Sequence, residues 1–150
     1  MFEVVLHLSD LKGNMVQIGD NDSGRLHIFG NNNSLDIRYL LTTAAILFND
    51  SKFKIKEFGF QNQMLLLFVE EGFYIWNKLE PVEYKNIGSM SFKDAGWYII
   101  KDKSFQCIIS AGQNGQNNFG GHSHNDKLSF SVNFKDKNVF VDCGTYVYTS

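Results

Sequence analysis

The sequence predicts a mainly β chain, an antiparallel β-sandwich portion preceded by a short α-helical segment. Three observations predict it. Apolar residues recur at helical spacing between Leu35 and Phe48, the pattern changes to a period of two from Ser89 onward, and short Gly, Asn and Lys turns separate the alternating stretches. A composition of 150 residues, 43% hydrophobic and 15% aromatic, suits one globular domain or pieces of two rather than a disordered segment.

The elements follow in chain order. Gly19-Asp-Asn-Asp-Ser-Gly-Arg25 is rich in turn formers, and Asn31-Asn-Asn-Ser34 repeats that signal directly before the first helix, expected over Leu35–Phe48. Positions 37, 40, 41, 44, 45 and 48 form its apolar face, and Ser34 is its expected N-cap. A second helix is expected over about Asn62–Trp76, although Gly72 interrupts it and Met64-Leu-Leu-Leu-Phe-Val69 reads equally as a buried strand. Pro81, the single proline, falls where a linker to the β portion belongs. Gly96–Lys101 and Phe105–Ala111 then make one strand pair. Leu128, Phe130, Val132 and Phe134 alternate with Ser129, Ser131, Asn133 and Lys135, as a strand with one buried and one wet face requires. Asp136-Lys-Asn138 turns the chain back into Val139–Asp142, which is expected to remain an unpaired edge. The chain stops within a β-like pattern at Tyr146-Val-Tyr-Thr-Ser150, as a fragment would.

Charge and composition exclude several partner classes. A formal net charge of −2, with no Lys/Arg run longer than two, favours neither nucleic acid nor an anionic membrane. The most apolar stretch, Met64–Val69, falls far short of the roughly 20 residues of a membrane span. Met1-Phe-Glu-Val-Val-Leu-His-Leu lacks the features of a signal peptide, so compartment is not read from this chain. Cys107 and Cys143 make no disulfide framework and are expected as free buried thiols.

Chemistry concentrates in Gly120-Gly-His122-Ser-His124-Asn125-Asp126, which holds two of the four histidines. Imidazole transfers protons near neutral pH and ligates metals, but histidines in a turn also serve simply as hydrogen-bonded structural residues. Both readings stand on the motif alone. The expected hairpin brings Asp142 to the same end as the histidine segment, which makes a His/Asp metal site geometrically possible. The metallo-β-lactamase signature fails here because Lys127 occupies the place of its last histidine, and the (β/α)8 barrel of amidohydrolases cannot be built from 150 residues.

A wider set of motifs is more specific. Phe92-Lys-Asp94-Ala-Gly96-Trp-Tyr98, Gly112, Gly115, Gly120-Gly-His122-Ser-His124-Asn125-Asp126-Lys-Leu128-Ser129-Phe130 and Val141-Asp142-Cys-Gly144-Thr145-Tyr146 resemble, in order and spacing, the C-terminal domain of heparinase II/III-like polysaccharide lyases. Gln17-Ile-Gly-Asp20-Asn-Asp22-Ser-Gly-Arg25 resembles the segment that precedes the last helix of the α/α-toroid in such proteins. Cys143 stands where many relatives have proline, and Lys127 where a small residue is common; neither is a group the chemistry needs.

The resemblance implies residues 1–50 as the C-terminal end of an α/α-toroid, 51–88 as linker and helix, and 89–150 as the truncated N-terminal part of a β-sandwich domain. It implies a lyase that cleaves an acidic, uronic-acid-containing polysaccharide by β-elimination, with a periplasmic or secreted parent. His122 aligns with the catalytic-cleft histidine. His124 and Asp142 align with ligands of a divalent metal, zinc in relatives, in a structural role that needs a further protein ligand beyond Ser150. The acid/base tyrosine and the carboxylate-neutralising groups belong to the toroid, so the isolated fragment is expected to be inactive. Asp20, Asp22, Arg25 and Asn125 are candidate saccharide contacts. His7 and His27 are read as structural, and Trp76, Trp97, Tyr146 and Tyr148 as packing residues. The alternative is a non-catalytic glycan-binding or structural β-sandwich domain with a stabilising metal site.

Overall fold

A computed structural model describes residues 1–19, 33–113 and 127–144. The chain forms two compact units, Met1–Met15 with Arg25–Ile87 and Val16–Gly24 with Gly88–Ser150.

The first unit is helical. Helix α1 spans Phe2–Leu8, α2 Arg38–Phe48 and α3 Leu65–Lys78. The core gathers Val5, Leu6, Leu41, Ala44, Ala45, Ile55, Met64 and Trp76, all under a tenth exposed. Ala44 and Ala45 are fully buried, and their small side chains let neighbouring elements approach the α2 backbone closely. The helical spacing of the sequence is therefore realised, but α2 starts three residues later than expected. Ser34 does not cap it: its hydroxyl donates to Asn33 Oδ1 at 3.3 Å, and the helix N-cap is Ile37. Asp36 takes the capping part instead, accepting the Arg38 N–H at 3.0 Å while its carboxylate also holds the Arg38 guanidinium at 2.9 and 2.7 Å. That ion pair raises the Arg38 pKa above its ordinary value.

The ambiguous stretch after Asn62 is a helix. A 3₁₀ turn over Asn62–Met64 leads into α3, which is broken at Val69, where φ is 50° and ψ −150°. Gly72 is not a flaw in the pattern. A β-carbon there would overlap Phe68 one turn earlier in the same helix, next to the break at Val69, whereas Ile46 of α2 would stand at an ordinary contact distance of 3.4 Å. Lys54 Nζ donates to the carbonyls of Trp76 and Leu79 at 2.7 Å each, satisfying the C-terminal end of α3. Trp76 is a core residue, as expected. The chain beyond Pro81 stays tied to this unit: Val82 exchanges backbone hydrogen bonds with Lys54 and Lys56, and the Tyr84 hydroxyl donates to the Ser9 carbonyl. No helix among the described residues is long and apolar enough to cross a membrane.

Among the described residues, the second unit carries an antiparallel sheet in the order β1-β2-β3-β4-β5: Met90–Phe92, Trp97–Asp102, Phe105–Ser110, Ser129–Phe134 and Lys137–Phe140. The mainly β reading with a short helical part is thus borne out. Lys135 and Asp136, both at positive φ, form the turn between β4 and β5, slightly earlier than the sequence suggested.

Register separates the faces. Ile99 pairs with Ile108 and Lys101 with Gln106, and these four are buried. The other face aligns Tyr98, Ile109 and Phe130 in one row and Ile100, Cys107, Val132 and Phe140 in the next. Leu128, Phe130, Val132 and Phe134 were expected to form the buried face, yet Leu128, Phe130 and Phe134 are 73%, 53% and 44% exposed and Val132 is half-buried. Period two is correct, but burial also needs a second layer, and none covers this face among the described residues. Phe130 and Phe140 instead cover one another edge to face, with centroids 5.5 Å apart. Both cysteines are free; Cys107 is half-buried, whereas Cys143 is exposed rather than buried because it follows the last strand.

Candidate functional site

One end of the sheet collects the segments that carry the candidate residues. The β1–β2 turn lies there, since Phe92 pairs with Trp97 and Trp97 with Ser110. The chain leaves β3 at Ser110 and enters β4 at its register partner Ser129, so both roots of the intervening histidine segment are at this end. The chain also reaches Asp142 here, because β5 runs antiparallel to β4 with Phe140 opposite Val132. His122, His124 and Asn125, like Asp20, Asp22, Arg25 and His27, lie outside the described residues, as do Tyr146 and Tyr148.

Two glycines build the root of the histidine segment. Gly96 sits at φ +69°, and a β-carbon on it would overlap the backbone of Gly112; one on Gly112 would overlap the carbonyl of Ala95. The Ala111 N–H donates to the Gly96 carbonyl at 2.8 Å, so the β1–β2 turn seats the point where the segment departs. At the other root, Leu128 also has positive φ and its side chain is exposed. A leucine in that conformation is strained, a condition found where surrounding structure dictates the backbone.

Asp142 stands in a compact turn. Its Oδ1 accepts the Gly144 N–H at 2.7 Å, which fixes one carboxylate oxygen against the backbone. Gly144 has φ +75°, and a β-carbon there would lie 2.7 Å from Gln17 Nε2 and 3.4 Å from Gln17 Cδ. Sequence reasoning noted both residues within separate motifs, but nothing in their spacing joined them. A carboxylate with one oxygen hydrogen-bonded to backbone suits a metal ligand, whose other oxygen binds the ion. Of the expected pair, Asp142 alone is described; no group of three His, Cys, Asp or Glu side chains forms a metal cluster among the described residues.

Residues 85–150 match the family model for the heparinase II/III-like C-terminal region. This part of the chain is similar to that C-terminal region. The resemblance carried by the Gly-Gly-His-Ser-His and Asp142-Cys-Gly144 motifs is thereby borne out. The fold is also similar to that of solved structures over nearly the whole chain. Heparan sulfate lyase HepC from Pedobacter heparinus aligns with 99% of the chain at TM-score 0.58 and 17% identity, and a HepC mutant from that organism aligns with 100% at 0.59 and 18%. A heparinase III with methylated lysines aligns with 97% at TM-score 0.55 and 16% identity. The chain spans 19%, 20% and 18% of those three structures, and at these identities the likeness is one of fold. No curated protein matches the sequence.

Proposed function

We propose that the chain is part of a polysaccharide lyase that cleaves uronic-acid-containing glycans by β-elimination. The carrying observation is the heparinase II/III-like match over residues 85–150, in a unit where the roots of the histidine segment and Asp142 meet at one end of a sheet. The lyases with a similar fold support the same reading. Residues 1–50 are assigned to the end of an α/α-toroid, 51–88 to linker and helix, and 89–150 to the first part of the sandwich domain.

β-Elimination asks for three things. The uronate carboxylate must be neutralised so that the proton on C5 becomes acidic, a base must take that proton, and the O4 leaving group must be protonated as the C4–O4 bond breaks. The electron pair of the C5–H bond becomes the C4=C5 double bond of an unsaturated uronate. His122 is assigned proton transfer or transition-state stabilisation. An imidazole can give or take a proton in such a step, which is why this residue type is assigned the role. His124 and Asp142 are assigned to a divalent metal, zinc as the family resemblance implies, which would supply a structural tie between the histidine segment and the end of β5. The remaining acid/base and carboxylate-binding groups are assigned to the rest of the parent protein, and Asp20, Asp22, Arg25 and Asn125 to saccharide contacts.

The test is His122→Ala in the full-length protein, followed by ultraviolet absorbance of unsaturated uronate on heparan-type, alginate and capsular substrates. Loss of at least a hundredfold in rate is expected for loss of a proton-transferring group. An unchanged rate removes His122 from the chemistry. A wild-type protein that binds these polymers and releases no unsaturated product would instead be a glycan-binding domain.

A further inference from the structure

We infer that Gln17 is a positioning residue for Asp142, acting through Gly144. The inference rests on Asp142 being a metal ligand. Gly144 is held from two directions. Its N–H is committed to Asp142 Oδ1 at 2.7 Å, and its α-carbon is covered by the Gln17 side chain, so closely that a β-carbon would fall 2.7 Å from Nε2. The left-handed φ of +75° favours glycine at this position, and a β-carbon here would push the Gln17 end group off the turn. The Gln17 end group therefore acts as a lid on the turn. If it were removed, the turn would lose its cover, the Gly144 N–H would sample other directions, and the Asp142 carboxylate would lose its fixed rotamer.

Ligand carboxylates depend on such outer partners. Removing one commonly weakens metal binding by about 10- to 100-fold without abolishing it, because the ligand itself remains and only its preorganisation is lost. Gln17 belongs to the sheet unit although more than a hundred residues separate it from Gly144. Gln17 thus supplies the cover of the Asp142 turn from a distant part of the chain.

The experiment measures zinc affinity of the full-length protein by competition with a chromophoric chelator, alongside melting of the zinc-free form. Gln17→Ala should weaken zinc binding by about 10- to 100-fold while the zinc-free melting temperature stays close to wild type. Gln17→Met, which keeps an unbranched side chain of similar length over Gly144, should restore most of the affinity. Gly144→Ala should also weaken binding, and by less in the Gln17→Ala background, because the steric part of its cost is then gone. Wild-type affinity in Gln17→Ala, failure of Gln17→Met to recover, or additive effects of the two substitutions would overturn the inference. Asp142→Asn separates it from the metal reading: if that variant binds zinc like wild type, the ligand assignment itself fails.

Discussion

The backbone of Gly96 rests on the backbone of Gly112, joined by the hydrogen bond from the Ala111 N–H to the Gly96 carbonyl. Neither position has room for a methyl group, and Gly96 is also left-handed. Gly96→Ala should destabilise the protein by about 2–4 kcal/mol, from strain and overpacking together. Gly112→Ala should cost a similar amount, whereas Gly88, with open space where a β-carbon would lie, should accept alanine within about 0.5 kcal/mol. Urea midpoints of the three variants check the ranking.

The helical unit makes a second, independent comparison. Leu41 is 1% exposed, so Leu41→Ala should cost about 2–5 kcal/mol by lost burial and an unfilled cavity. Leu47, six residues on and 58% exposed, should tolerate alanine almost freely. Tyr84→Phe removes the hydroxyl that donates to the Ser9 carbonyl and should cost about 1 kcal/mol. Thermal melting of the variants measures these differences.

Metal removal should lower stability through mass action, since an ion bound only by the folded state stabilises that state. Chelator should lower the melting temperature of the full-length protein, and zinc should restore it. In Asp142→Asn the chelator should have little further effect. A chelator response in Asp142→Asn equal to that of wild type would remove Asp142 from the site.

The two thiols differ enough to be told apart chemically. Cys143 is exposed, whereas Cys107 lies half-buried and desolvation raises its pKa above the ordinary 9.0. At pH 8, iodoacetamide should label Cys143 first, read by mass spectrometry of the tryptic peptides. Because the folded state keeps the Cys107 proton to higher pH than the unfolded state does, its contribution to stability is complete below pH 9.0 and declines as pH rises further. Cys107→Ser should flatten that alkaline decline in urea titrations.

The bare sheet face should be visible in solution. Tyr98, Ile100, Phe130, Phe134 and Phe140 are each more than a third exposed on it, and apolar side chains gathered on one face mark a surface that binds apolar partners. The isolated 150-residue chain should bind an apolar dye, and Phe130→Ser with Phe140→Lys should reduce that fluorescence, at a small cost in melting temperature from the lost ring pair.

Sequence legibility followed the physics of each signal. The helix around Leu41 and Ala44 was readable because a 3.6-residue period needs one buried stripe, and its start was misplaced because Asp36, with Arg38 as partner, outcompetes Ser34. The β2–β3 and β4–β5 pairings were readable from period two and turn residues. Burial of Phe130 was not, because alternation identifies a face and says nothing of what covers it. Of the candidate site, Asp142 could be brought to the correct sheet end by hairpin logic alone. Its contact with Gly144 and the cover from Gln17 depend on a left-handed backbone and on a pairing distant in sequence, neither of which leaves a periodic trace.

Gln17 also bears on the order in which the protein can assemble. During synthesis it emerges more than a hundred residues before Gly144, and the whole of the helical core from Ile37 to Ile87 follows it before β1 appears. The turn around Asp142 therefore gains its cover only when two distant parts of the polypeptide meet, a late and slow event by the loop-closure cost of such contacts. A polypeptide started at residue 85, where the family match begins, would carry every described strand of the sheet and still lack this piece.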